Sequence, residues 1–146
     1  MSIKIRRRDS GVSPERGLID TSVAVDLDSI GLSRLPPVIA ISALSLAELT
    51  AGPHAASSNS QRAARQEHLQ QIESSLEALP FDSVCARAYG HIYASVAGIG
   101  RKPRGPRIVD LMIAATALAH QMPLYTLNTA DLRGLDDLIR IVDLAY

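Results

Sequence analysis

The chain reads as an α/β protein with a central parallel sheet covered by helices on both faces. Two observations predict this. Apolar, β-branched runs such as Val38-Ile39-Ala40-Ile41 are continuous, as in strands buried on both faces, where half-buried strands would alternate. These runs alternate with longer segments of helical period, the order in which strand–helix–strand units are laid down. A length of 146 residues suits one domain.

Residues 1–16 are polar and basic without periodicity, and are expected to be a flexible extension, leaving 17–146 as the domain. Residues 17–19 read as a short strand, stopped by Asp20-Thr21-Ser22, three successive helix caps, with a short helix over 23–27. Pro36-Pro37 breaks the chain before a strand over 38–41. Ser42 then caps a helix to Ala51, ended by Gly52-Pro53. Residues 55–60 are Ala, Ser and Asn, a loop. A long helix is expected over 61–79, with Leu69, Ile72 and Leu76 spaced by three and four. Leu79-Pro80-Phe81 is a break or brief strand, and Asp82 caps a helix to about Ile99. Residues 100–107 form a compact loop before an apolar helix opened by Asp110. A strand over 124–127, a helical turn over 129–132 and a strand over 138–144 complete the chain, which has no internal repeat.

Composition removes several functions. Only 3% of residues are aromatic and none is Trp, so the core is aliphatic and no platform exists for stacking single-stranded bases. Net charge is zero, which leaves any nucleic-acid footprint to a local basic patch. The lone Cys85 cannot form an internal disulfide, which suits a reducing compartment. His54, His68, His91 and His120 lack zinc-type spacing. The apolar run after Asp110 falls short of the ~20 residues a membrane span needs. Arg6-Arg7-Arg8 is followed by Asp9-Ser10-Gly11, which is no secretory signal. A cytoplasmic protein without a membrane partner is expected.

Four acids stand where apolar or small residues are usual: Asp20 after Gly17-Leu18-Ile19, Glu48 inside Ala43-Leu44-Ser45-Leu46-Ala47-Glu48-Leu49, Asp110 before Leu111-Met112-Ile113-Ala114-Ala115, and Asp131 after Thr126-Leu127-Asn128. Each has a bland reading: a cap for Asp20, a capping box with Ser45 for Glu48, an ion pair with Arg107 for Asp110, a turn or open solvent for Asp131. Carboxylates are costly to bury unpartnered, however, and ligands of parallel sheets gather at the strands' carboxyl ends. All four can reach that edge. Carboxylates within ~5 Å repel by about 3 kcal/mol per pair at an effective dielectric of 20, which a divalent cation would relieve.

The blocks Leu18-Ile19-Asp20-Thr21-Ser22-Val23, Ser45-Leu46-Ala47-Glu48-Leu49, Asp110-Leu111-Met112-Ile113-Ala114-Ala115-Thr116-Ala117 and Thr126-Leu127-Asn128-Thr129-Ala130-Asp131-Leu132, in this order, resemble the PIN-domain ribonucleases, above all the VapC toxins of bacterial type II toxin–antitoxin modules. The resemblance covers residues 17–146. It implies a three-layer α/β/α PIN-like fold and endonucleolytic cleavage of RNA with Mg²⁺ or Mn²⁺. By position, Asp20, Glu48 and Asp110 fall on the three acids of the family's site. Asp131 is the acidic candidate for the variable fourth position, with Asn128 beside it, and Leu132 stands where Phe commonly follows. Asp20 and Asp110 are then expected as direct ligands. Glu48 and Asp131 would hold metal-bound waters, orient the nucleophile or complete a second metal site, and Thr21, Ser22 and Thr126 would supply supporting hydroxyls. The resemblance also implies a cognate VapB-type antitoxin that occludes the site, and a homodimer, which the low charge of the first two helices permits.

Arg101, Lys102, Arg104 and Arg107 are expected to hold RNA phosphates beside Asp110, with a solvated loop as the alternative. Arg6–Arg8 would add unspecific attraction. Two rival readings stand beside the nuclease. One is a non-catalytic scaffold of the same fold that binds RNA or protein. The other is a phosphate-accepting receiver module, which usually needs a Lys near its last strands; Lys4 and Lys102 are the chain's only lysines.

Overall fold

The computed structural model describes residues 15–145, so the expected extension lies outside the described residues up to position 14. Five strands form one parallel sheet: β1 (Arg16–Ile19), β2 (Val38–Ser42), β3 (Glu77–Leu79), β4 (Leu124–Thr126) and β5 (Ile141–Asp143). Their order is β3-β2-β1-β4-β5, and each neighbouring pair is parallel. Five helices accompany it: α1 (Thr21–Val25), α2 (Ala43–Ala51), α3 (Asn59–Ser75), α4 (Ser83–Gly98) and α5 (Pro106–Ala119). Short 3-10 turns fill Leu27–Ser29, Leu32–Arg34, Gly52–Ala55 and Thr129–Leu132.

The two-residue period of a strand sends neighbours to opposite faces, and the core divides accordingly. Leu18, Ala40 and Leu124 join Ala88, Ile92 and Val96 of α4 and Leu111, Ile113, Ala114 and Ala117 of α5. Ile19, Ile39, Ile41 and Tyr125 join Val23 and Ala24 of α1, Leu49 of α2 and Leu69 and Ile72 of α3. The result is helix, sheet, helix, in agreement with the expected three layers. Truncating a fully buried side chain such as Leu111 or Ile92 to Ala should cost about 2–5 kcal/mol. Gly17 serves packing: a Cβ there would lie 2.5 Å from the Tyr125 ring and 2.8 Å from Pro36.

Several boundaries differ from the sequence reading. Arg16, assigned to the extension, opens β1 and pairs with Val38. The first helix starts at Thr21, not Val23, and Asp20 itself is its cap. The long helix ends at Ser75, and residues 77–79 form an edge strand on Ala40, Ile41 and Ser42. Glu, Ala and Leu favour helix, and pairing with β2 overrides that weak preference. The apolar helix begins at Pro106, with the proline at its first position after Gly105 at φ 56°. Asp110 therefore belongs to the second turn, and Arg107 to the helix instead of the loop. The last strand is only three residues long.

Candidate active site

In the order β3-β2-β1-β4-β5 the chain progresses outward in both directions from β1, so the switch point lies between β1 and β4. The carboxyl ends of these two strands deliver Asp20 and the segment from Thr126 to Asp131, where an open parallel sheet receives its ligand. Backbone bonds fix the junction. Asp20 N donates to Tyr125 O at 3.0 Å, and Leu127 N donates to Ser22 Oγ at 3.1 Å.

Asp20 Oδ1 accepts from Ser22 Oγ at 2.6 Å and from Val23 N at 3.1 Å. The cap thus immobilises the carboxylate at the end of β1, and the bland reading does not exclude the functional one. Thr126, fully buried, accepts from Asn128 N at 2.9 Å and shapes the turn after β4. Asn128 Nδ2 donates to Asp131 Oδ2. Arg107 Nη2 donates to Asp131 Oδ1 at 3.2 Å. Arg107 therefore pairs with Asp131, and not with Asp110 as the bland reading of that acid has it.

Asp20, Asp110 and Asp131 line one cavity of about 90 Å³ with Ser22, Asn128, Leu124 and Leu132. Glu48 does not line it. It is exposed at the margin, and Thr21 Oγ1 donates to its Oε1 at 2.6 Å. Thr21 also meets Ser45 Oγ at 2.8 Å. A carboxylate only accepts, so the Thr21 proton goes to Glu48 and Ser45 donates to Thr21. Ser45 is fully buried and is the site residue that sequence reasoning missed. The bland reading of Glu48 makes Ser45 the cap of a capping box, but Ser42 caps α2, accepting from Leu44 N at 3.1 Å. The same three-residue spacing puts Ser45 and Glu48 on one helix face, and this was the available signal.

The four acids feel one another most at Asp110. Burial, then the carboxylates of Asp131, Glu48 and Asp20, push its carboxyl from 3.8 up to about 6, with Arg107 opposing. Among the described residues no group of three or more His, Cys, Asp or Glu side chains is arranged to hold a metal ion unaided. The donor set of Asp20, Asp110 and Asp131 is nonetheless rich in carboxylate oxygen. That fits Mg²⁺, which needs one or two carboxylates and keeps several waters.

Beside the acids a wider cleft of about 420 Å³ is lined by Lys102, Arg104, Pro106, Arg107, Asp110 and Asp131. Arg101 is not among its walls. Its Nη1 donates to Ala130 O at 3.0 Å, tying the loop to the turn after β4.

A parallel α/β sheet with carboxylates at its switch point and cations alongside defines the structural class, and the comparisons place the chain within it. Residues 17–138 match the family model of the PIN domain. The ribonuclease VapC5 of Mycobacterium tuberculosis is 33% identical over 117 residues, covering 78% of this chain and 84% of that protein. The crystal structure of VapBC-5 from the same organism, a member of the VapBC family of toxin–antitoxin systems, superposes with a TM-score of 0.77. It is 31% identical and covers 91% of this chain and 100% of its own. The structure of VapBC2 from Rickettsia felis bound to a promoter DNA fragment shares the fold, with a TM-score of 0.68 and 23% identity over 88% of this chain and 98% of that one. The chain belongs to the PIN-domain family, among the VapC-type ribonuclease toxins of type II toxin–antitoxin modules. No helix among the described residues is long and apolar enough to cross a membrane.

Proposed function

We propose that this chain is a divalent-metal-dependent endoribonuclease of the cytoplasm, with Asp20, Glu48, Asp110 and Asp131 as its acidic site. The observation that carries the reading is Asp110, held at about 6 by burial and three neighbouring carboxylates beside a cation-lined cleft. Asp20 and Asp110 would hold Mg²⁺ or Mn²⁺ directly. Bound there, the ion would supply Lewis-acid polarisation of the phosphodiester and acidify the attacking water. Glu48, steadied by Thr21 and Ser45, would orient the attacking water. Asp131, set by Asn128 and the turn after Thr126, completes the acidic wall. Ser22 fixes Asp20. Lys102, Arg104 and Arg107 draw the RNA strand across the acids by its phosphates, which positions it without reading sequence. Arg101 keeps this loop in place through Ala130.

A VapB-type antitoxin would silence the site, and a homodimer would present two. Support for the partner comes from the relative crystallised as VapBC-5. It comes also from a groove of about 380 Å³ whose lining includes the apolar Val25, Leu49 and Ala64 together with Thr21 and Glu48. An antitoxin segment seated there would lie against the catalytic edge.

Cleavage of total RNA with Mn²⁺ tests the reading. Asp20→Asn and Asp110→Asn should each lose cleavage by about 100-fold or more while remaining folded, because each removes charge from a crowded cluster. Wild-type rates in either variant at saturating metal would refute the assignment of that acid, and a wild type that cleaves no RNA would leave the non-catalytic scaffold.

A further inference from the structure

Among the described residues, Asp131 alone of the four acids has an ion-pair partner, and the pair is incomplete. Asn128 takes Asp131 Oδ2, so Arg107 reaches Oδ1 through Nη2 only, and the two-pronged fork that makes such pairs strong is absent. Arg107 and Asp131 side chains are 35% and 30% exposed, so water competes with the contact. Arg107 also lines one cleft with Asp110, three residues further along α5. It therefore faces two acids at once. The same side chain lines the cleft with Lys102 and Arg104, so a guanidinium that left Asp131 would remain among phosphate-binding cations.

We infer that Arg107 is a displaceable internal cation, shared between Asp131 and an RNA phosphate, and that a divalent ion on the acids drives it towards the phosphate. The inference rests on the metal-dependent reading above. Two consequences follow from charge alone. Arg107 competes with the metal for the acids, and metal and RNA binding reinforce each other, because one frees the group that the other uses.

The test uses the full chain, Mn²⁺ followed by electron paramagnetic resonance, and a 2′-O-methyl RNA oligonucleotide that cannot be cut, followed by fluorescence anisotropy. Arg107→Gln should bind Mn²⁺ roughly tenfold more tightly than wild type in the absence of RNA. The gain in RNA affinity that Mn²⁺ gives the wild type should be largely lost in this variant. Arg107→Lys keeps the charge, and the wild-type pair makes no use of the planar fork, so its Mn²⁺ affinity should stay close to wild type. Equal or weaker Mn²⁺ binding by Arg107→Gln, or an undiminished Mn²⁺ effect on its RNA affinity, would overturn the inference while leaving the metal site standing. A wild type that binds no Mn²⁺ at millimolar levels would overturn both readings.

Discussion

Asp110 carries the largest electrostatic strain in the site, and its sign is checkable. Its carboxyl is held at about 6 in the fold against 3.8 in the free chain. Between these values the folded state keeps a proton that the unfolded state has lost. Stability of the metal-free protein therefore falls as pH rises from about 4 to about 6, with no further loss from this group above. Discounted for solvent, the effect is about 1–2 kcal/mol. Asp110→Asn should be more stable than wild type by that amount at pH 7 in chelator, and the advantage should close towards pH 4. Denaturant melts at both pH values measure the difference directly. A constant gap would mean that burial and the neighbouring acids do not raise the Asp110 carboxyl.

The basic segment between α4 and α5 does two jobs with similar residues. Lys102 and Arg104 line the cleft, whereas Arg101 is committed to the Ala130 carbonyl. Replacing Lys102 and Arg104 together by Ala should weaken RNA binding and reduce the log–log salt slope by roughly 1.4, at about 0.7 per phosphate contact on a single strand. Arg101→Ala should instead loosen the loop and leave the slope nearly unchanged. Anisotropy titrations across salt concentrations separate the two, and an unchanged slope in the double variant would return the segment to a solvated loop. Sequence alone could not divide these cations, since all belong to one polar run and only the fold turns Arg101 towards Ala130. Edge strand β3 was hidden for a related reason. Glu77, Ala78 and Leu79 continue a helical composition, and only their partners on β2 make them a strand. Asp20 was legible because a short apolar strand stops there. Ser45 was not, because Ser-x-x-Glu has a second, purely local meaning.

At the scale of the whole domain, the two apolar layers hold β1 and β4 side by side, with Asp20 and Asp131 carried at their ends. They also pack α5 and α2, with Asp110 and Glu48, against these strands, so the charge cluster exists only in the folded chain. A divalent ion bound there should therefore stabilise the native state. At a free concentration a hundred times its dissociation constant, one site contributes about 2.7 kcal/mol. For a domain of this size that raises the melting temperature by about 5–11 °C. Asp20 allows the metal's share to be separated from the fold's, because it is both a proposed ligand and the cap of α1. Asn caps a helix as well as Asp does, whereas Ala loses about 1 kcal/mol. In chelator Asp20→Asn should melt with or slightly above wild type, and Asp20→Ala below it. With Mn²⁺ added, wild type should rise and both variants should rise much less. A wild-type curve indifferent to millimolar Mn²⁺ would sink the metal site. An Asp20→Asn curve that rises as far as wild type would remove Asp20 from the ligands and leave it a cap alone.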